Sequence, residues 1–444
     1  MSAMPQIAAS GLDSVDQIEV LFDRLWPLMR SLTGPGVRAT HDILSEYLPL
    51  QRIEVPSGTR VFDWTVPKEW LVRQSYVIAP DGRRILDVAE NNLRLVNYSV
   101  PFRGALSRAA LEAHLHSRPD MPDAVPYVTS YYEPRWGFCL SDNERAALPE
   151  GDYEVVVDTE LKDGALTISE AVLPGSENAE VLISTYTCHP SLANNELSGP
   201  LVAAFLYRRL AAWPQRRLTY RFVFAPETIG AIAYLALRGD HLREYLVAGY
   251  VATCCGLDTH FTYKRSRRGD TLADRAAVHA LKSMGFEYRV RDFAPTGSDE
   301  RQYCSPGFNL PVGSLIRGVY GEYPEYHTSL DNKALIDFAA LRGTIDAYET
   351  ICRALERNER FENLLPHGEP QLGRRGLYPT IGAADQADRV QAMMWVLNLS
   401  DGSHDLLSIA ERSGIAIDQL WPAALAAEKA GILRRAVSKE TARG

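Results

Sequence analysis

The chain is 444 residues long, past the size at which a single hydrophobic core keeps growing, so two or three structural units are expected. Hydrophobic residues at 46% and charged residues at 23% are the balance of a folded protein and exclude a mainly disordered one. The formal charge of -9 lacks the surplus of Lys and Arg that phosphate contacts require, which argues against nucleic acid as a partner.

No run of about 18 apolar residues occurs. The opening MSAMPQIAASGLDSVDQ has neither the basic nor the apolar region of an export signal, so a cytoplasmic protein with no membrane segment is expected. The six cysteines (Cys139, Cys188, Cys254, Cys255, Cys304 and Cys352) are scattered, without the spacing of a disulfide framework or a zinc ribbon, and read as reduced thiols.

In chain order, residues 15–31 and 38–48 carry apolar side chains at helical spacing around the Gly/Pro break TGPGV. From about 52 to 170 the chain turns to brief β-branched and aromatic runs between turn residues, such as RVFDWTVP, SYVIAPDG and DYEVVVDTEL, which predict a β-rich unit. Trp64, Trp70 and Trp136 are the natural core of that unit, which could also wall a cleft. From about 180, strand-like EVLISTYTC, LTYRFVFAP and VAGYVATCC alternate with helical SGPLVAAFLYRRLAAW and IGAIAYLALRG. That alternation predicts an α/β layer with a largely parallel sheet and functional groups at the carboxyl ends of its strands. The tail, 378–436, offers three short helices in the order of a winged helix-turn-helix. From Arg389 to Gly444 it balances seven basic against six acidic residues, so it lacks a footprint for DNA, and packing or oligomerisation is the better expectation.

Three segments place polar residues just after an apolar strand. In STYTCHPSLANNELSGP, His189 offers an imidazole and Glu196 a carboxylate seven residues later. In YRFVFAPETIGA, Glu227 enters a turn before a helix, where a carboxylate tuned toward neutrality can act as general base. YGEYPEYHTSLDN supplies His327 from a distant loop. His189, Glu196 and His327 make a mixed nitrogen and oxygen set that suits zinc with an open position. Each residue also has a plain alternative: histidines hydrogen-bonded in the core, and glutamates favoured near helix starts by charge alone.

The blocks CHPSLANNELSGP, FAPETIG, SDERQY and YHTSLDN resemble those of an aminopeptidase-like family related to the M28 zinc peptidases and labelled as domains of unknown function (DUF4910 with DUF2172). Upstream, VPSGTRVFDWTVPKEW, NYSVPF, PYVTSYYEPRWGFCLS and GDYEVVVDTELKDG resemble that family's inserted β-rich domain, and the tail resembles its winged-helix appendage. The resemblance runs from about residue 20 to 436. It implies an M28-like three-layer α/β zinc-peptidase fold with N-terminal helices over 1–52, the insert over 53–170, the α/β domain over 171–375 and the winged helix over 376–444.

By the same resemblance His189 falls on the first histidine ligand, Glu227 on the general base and His327 on the last histidine ligand. Asn195 stands where such enzymes carry a metal-bridging aspartate, and Thr228 where they carry a second glutamate. Without those carboxylates two dications a few ångströms apart would repel strongly, so one zinc per chain is expected, with Glu196 replacing the lost carboxylate. Asp258 approximately matches a further aspartate ligand. Arg301 and Arg317 are candidates for a substrate carboxylate, Asp299 and Glu325 for a free amine, and Tyr326 for a donor to the tetrahedral oxyanion.

The expected function is a metallohydrolase, aminopeptidase or amidohydrolase, cleaving an amide of a small aminoacyl or peptidyl substrate in a polysaccharide or specialised-metabolite pathway. It would need neither nucleic acid nor membrane, and a homo-oligomer is left open. The alternative is a catalytically silent protein that binds a metabolite or a partner on the same fold, and a third reading is a ligand sensor that reads DNA through its tail.

Overall fold

The computed structural model describes residues 13–377 and 386–436. Residues 1–12 of the expected first unit, and 378–385 and 437–444 of the expected last one, lie outside the described residues. Two compact units divide the chain: the first reaches Ala273 and resumes at Glu287–Asp346, and the second takes Asp274–Phe286 and the residues from Ala347.

The first unit is built on an eight-stranded mixed sheet. Its centre is four parallel strands in the order Thr219–Ala225, Glu180–Tyr186, Leu246–Ala252, Val312–Ile316. All seven residues of Glu180–Tyr186 are buried, the signature of a strand covered on both faces. Outside Thr219–Ala225 the chain adds Ala165–Leu173 and then Gln51–Pro56, each antiparallel to its inner neighbour, while Phe261–Lys264 and Tyr288–Arg291 extend the other edge. The expected largely parallel sheet is therefore parallel at its centre and mixed at its flanks.

Helices follow the central strands as their patterns predicted: Ser198–Ala211 after Glu180–Tyr186, and Ile229–Tyr245 after Thr219–Ala225. Gly199 lets the first of these approach the sheet, because a Cβ there would meet the Ala252 carbonyl oxygen at 2.2 Å. The N-terminal helices are Val15–Leu25 and Pro35–Leu44. The Gly/Pro pair lies at the start of the second helix rather than in a break before 38: Gly34 has φ 105° and Pro35 takes the first helical position.

Between Gln51–Pro56 and Ala165–Leu173 the chain makes a four-stranded antiparallel sheet, in the order Arg84–Ile85, Glu69–Ile78, Asp152–Lys162, Phe102–Ser107. The expected limits of this insert, 53 and 170, fall inside the two flanking strands, so residues 53–56 and 165–170 pair within the eight-stranded sheet instead. Trp70 is buried, donates from Nε1 to the Ser99 carbonyl and stacks on Tyr98. Trp136 stacks between His114 and Phe102. Trp64 is a surface residue rather than a core one.

In the second unit, helices Gln386–Leu399, Leu406–Ser413 and Ile417–Lys429 accompany a three-stranded antiparallel sheet in the order Asp401–Asp405, Arg360–Asn363, Leu433–Arg435. Its central strand precedes the expected boundary at 376, because the strand's partners lie 40 to 70 residues later and no local pattern announces them. Among the described residues no helix is long and apolar enough to cross a membrane.

Candidate functional site

Strand Glu180–Tyr186 ends at its carboxyl edge in Thr187, Cys188 and His189, all buried. The neighbouring strand Thr219–Ala225 delivers Pro226 and Glu227 to the same edge, where the Glu227 backbone N–H donates to Cys188 Sγ at 3.2 Å. His189 Nδ1 lies 2.8 Å from Glu196 Oε2, and His189 Nε2 lies 3.7 Å from Glu227 Oε2. The imidazole therefore has one nitrogen tied to Glu196 and the other facing Glu227. When Glu196 is ionised it accepts a hydrogen bond from Nδ1–H, leaving the Nε2 lone pair free.

His327 arrives from the loop after Val312–Ile316, its ring 5.5 Å from that of His189. Its Nε2 is buried and has no hydrogen-bond partner. The insert holds this loop. Tyr127 donates its backbone N–H to the His327 carbonyl at 2.8 Å, Ser329 donates its own to Val125, and Pro126 and Thr328 form an antiparallel bridge. The Tyr127 ring then sits 5.1 Å from His189 and 5.3 Å from His327.

Backbone strain gathers at this edge. Ser191, Thr228, Cys254 and His327 all have positive φ, at 44°, 62°, 49° and 56°. Such conformations cost about 1–3 kcal/mol each in non-glycine residues and persist where surrounding structure fixes a functional geometry. A π-helical turn, Ala193–Leu197, adds to the irregularity. Asp331 secures it, its two carboxylate oxygens accepting the N–H groups of Asn194 at 2.7 Å and Asn195 at 2.9 Å.

Burial sets the electrostatics. It pushes the Glu227 carboxyl up to about 7, against the pull of Arg301, and the Glu196 carboxyl up to about 8, against the pull of Arg30. It holds both imidazoles neutral by pushing His189 and His327 down to about 3. The Asp299 carboxyl is raised well above its usual range by burial and by the charge of Glu227.

The sequence-derived residues separate by where the fold puts them. His189, Glu196, Glu227 and His327 converge. Tyr326 stacks on His327 with ring centroids 3.9 Å apart. Asp299 Oδ1 accepts the Thr228 N–H at 2.7 Å, and Arg301 Nη2 donates to Thr228 Oγ1 at 3.0 Å, which places both beside Glu227.

Asp258 does not join them: its side chain is 82% exposed and faces Arg317 Nη2 at 3.5 Å. Arg317 is spent on backbone, donating to the carbonyls of Thr259 and Ala340 at 3.0 Å each, so it braces a loop. Glu325 is half-buried, and its backbone carbonyl closes the turn to Thr328.

Glu196 differs from its expected place as a ligand. One oxygen is committed to His189 Nδ1 and the other is buried 3.7 Å from Arg30 Nε, so the carboxylate orients the imidazole from behind. Arg30 went unrecognised in the sequence. It is wholly buried, donates to the His189 carbonyl at 2.8 Å and to the Leu25 carbonyl at 2.6 Å, and its one signal was a charge inside the apolar run LWPLMRSL. Tyr127 was equally hidden in an insert read as β-rich.

Among the described residues, one trio of donor atoms lies close together. Cys188, His189 and Glu196 place one ligand atom each within 4.8 Å of one another. That trio is already closed by hydrogen bonds, and burial pushes the Cys188 thiol far up, which opposes the thiolate that zinc requires. The other candidate donors are His189 Nε2 and the unpartnered His327 Nε2, with Asn195 Oδ1 as a further buried oxygen lacking a hydrogen-bond partner and the Glu227 carboxylate 3.7 Å from His189 Nε2. Neutral imidazoles with free nitrogens beside a carboxylate fit one zinc.

Residues 19–358 match the family model described as a domain of unknown function (DUF4910), and residues 359–435 match a winged helix-turn-helix model. A curated protein of Clostridium acetobutylicum, named for polysaccharide biosynthesis and an aminopeptidase-like domain, is 44% identical over 94% of this chain and 96% of its own length. A crystal structure of a candidate peptidase from the same organism is 42% identical, covers 95% of this chain and 96% of its own, and superposes with a TM-score of 0.89. The zinc aminopeptidase of Bacillus subtilis shares the fold at 14% identity and TM-score 0.56, over 79% of this chain and 95% of its own. An M28 peptidase precursor from Shewanella amazonensis does so at 12% identity and TM-score 0.53, over 78% and 94%.

Proposed function

We propose, for a chain that belongs to the DUF4910 family, that the edge holding His189, Glu227 and His327 is the active site of a zinc-dependent amide hydrolase. Its substrate would be a small aminoacyl or peptidyl compound. The observation that carries this reading is a pair of neutral imidazoles, one with an unpartnered buried nitrogen, beside a carboxyl group tuned to about 7. The 42% identical peptidase structure and the M28-like fold support the reaction class.

His189 Nε2 and His327 Nε2 would hold the zinc, and Glu196 with Arg30 would fix the orientation of His189. When bound, zinc supplies Lewis-acid polarisation of the scissile carbonyl and lowers the pKa of water. Glu227 accepts the proton of the attacking water and returns it to the leaving amine, a task for which a pKa near neutrality serves both directions. Tyr326, whose phenol is kept protonated by burial, donates to the oxyanion of the tetrahedral species. Tyr127 walls the site with aromatic surface and limits water. The relative named for polysaccharide biosynthesis supports a conjugate, rather than a protein, as natural substrate.

The test is amide hydrolysis by zinc-loaded protein with and without Glu227→Gln. Turnover should fall by about 10²- to 10⁴-fold in the variant while zinc is retained. Equal turnover in both proteins would end the assignment of Glu227.

One observation favours the silent-binder alternative. Asn195 donates to the Tyr186 hydroxyl and Thr228 accepts from Arg301, so the two positions where carboxylates were missing by sequence are engaged in neutral or cationic contacts. Zinc binding without turnover of any amide would support it.

A further inference from the structure

Three buried arginines of this unit spend most of their donors on carbonyls or carboxylates. Arg30 and Arg317 donate to backbone carbonyls, and Arg221 is enclosed by Glu170 and Glu180. Arg301 differs from these three in meeting neither a carboxylate nor a carbonyl at hydrogen-bond distance. Its guanidinium makes one hydrogen bond, Nη2 to Thr228 Oγ1 at 3.0 Å, and its Nε, like those of Arg94, Arg216 and Arg265, is buried with no partner.

The nearest acidic side chains do not relieve it. Asp299 is committed to the Thr228 N–H, Glu300 is paired with Lys264 at 2.6 Å, and Glu227 acts on Arg301 only through space. Thr228, to which Arg301 is fastened, has φ 62° and immediately precedes helix Ile229–Tyr245, whose positive end adds to the same spot. A guanidinium with free donors, held rigidly next to the proposed proton acceptor, is a receptor for a planar anion.

We infer that the substrate carries a carboxylate within a few bonds of the scissile amide, as in a short peptide with a free C-terminus or an N-acyl amino acid, and that Arg301 receives it. This rests on the hydrolase reading for the position of the amide, and it assigns a substrate class that the fold alone does not. Charge-assisted hydrogen bonds of this kind contribute roughly ten- to a hundredfold in binding.

The experiment uses full-length, zinc-loaded protein and three probes: alanylalanine, its C-terminal amide and N-acetylalanine. Hydrolysis is followed on wild type, and binding to Glu227→Gln by calorimetry. The carboxylate dipeptide should be preferred over its amide by at least about tenfold, chiefly in KM. Arg301→Gln should erase that preference and Arg301→Lys should keep part of it, with thermal melting to establish that both fold.

Binding of the carboxylates that depends on Arg301, without turnover, removes the hydrolase reading and leaves this inference standing. Turnover that ignores the carboxylate does the reverse. Equal losses on the acid and the amide in Arg301→Gln, or no binding by either carboxylate probe, overturn the inference.

Discussion

The two ends of the central strands carry ionisable side chains in opposite states. At the amino end of Glu180–Tyr186, Arg221 binds Glu180 through Nε and Nη2 at 2.8 and 2.9 Å and Glu170 through Nη1 at 2.8 Å, with Tyr234, Arg238 and His241 filling the remaining oxygens. Burial pushes both carboxyls up, yet these partners bring each below its usual range. At the carboxyl end, burial acts on Glu227, Glu196, His189 and His327 without enough partners, and the carboxyls rise while the imidazoles fall. The same sheet thus satisfies one cluster and leaves the other short of partners, the division that the proposed function expects between a core network and a reactive site.

Breaking the satisfied end should have the largest effect on stability. Arg221→Met removes the buried guanidinium that Glu170 and Glu180 share and leaves them Arg238, Tyr234 and His241 alone, and urea unfolding should lose about 3–5 kcal/mol, with the activity per folded molecule retained. A loss below about 1 kcal/mol would mean that water reaches this cluster and that the contrast is false.

The unsatisfied end should answer in the other direction. The folded pKa of Glu227 lies above its unfolded value of 4.5, so its contribution is present below pH 4.5 and is lost as pH rises through about 7. Metal-free Glu227→Gln should therefore be more stable than metal-free wild type at pH 8, and the gap should close toward pH 4. For Glu170 and Glu180 the sign is reversed: their folded values are depressed, so their contribution is present above the unfolded value of 4.5 and fades as pH falls. A Glu227→Gln protein less stable than wild type at pH 8 would show that the site is not frustrated.

Smaller changes sharpen the picture. Glu196→Gln keeps the shape behind His189 but puts an amide where the carboxyl meets Nδ1, and zinc affinity should fall about 10- to 100-fold. A complete loss of zinc would instead make Glu196 a direct ligand. In the C-terminal unit, Asp418 is paired with Arg357, and Glu428 with Arg435. Helix Ile417–Lys429 therefore offers no surplus of positive charge, and salt-dependent DNA binding should be absent across about 50–200 mM salt.

The sequence disclosed what local pattern and strand-end position can encode. The strands and helices from Glu180 to Ala252 followed from periodicity, and His189, Glu227 and His327 from lying just past apolar strands or in a turn-rich loop. What it concealed depends on pairing at a distance. The strand Arg360–Asn363 is defined by partners far downstream, and Gln51–Pro56 by one more than 100 residues later. Arg30 meets His189 across 159 residues, and the insert reaches His327 through Tyr127. Asp258 looked ligand-like because its type and neighbourhood were right, but the fold turns it to solvent against Arg317.

The central claim is that His189 and His327 share one dication, with Glu196 behind them and Glu227 in front. Zinc stoichiometry of the purified protein, measured by elemental analysis on wild type, His189→Ala, His327→Ala and Glu227→Gln, tests it most directly. The account predicts about one zinc per chain in wild type and Glu227→Gln and a loss of at least tenfold in affinity in either histidine variant. Two zincs per chain, or one that survives His327→Ala undiminished, would contradict it.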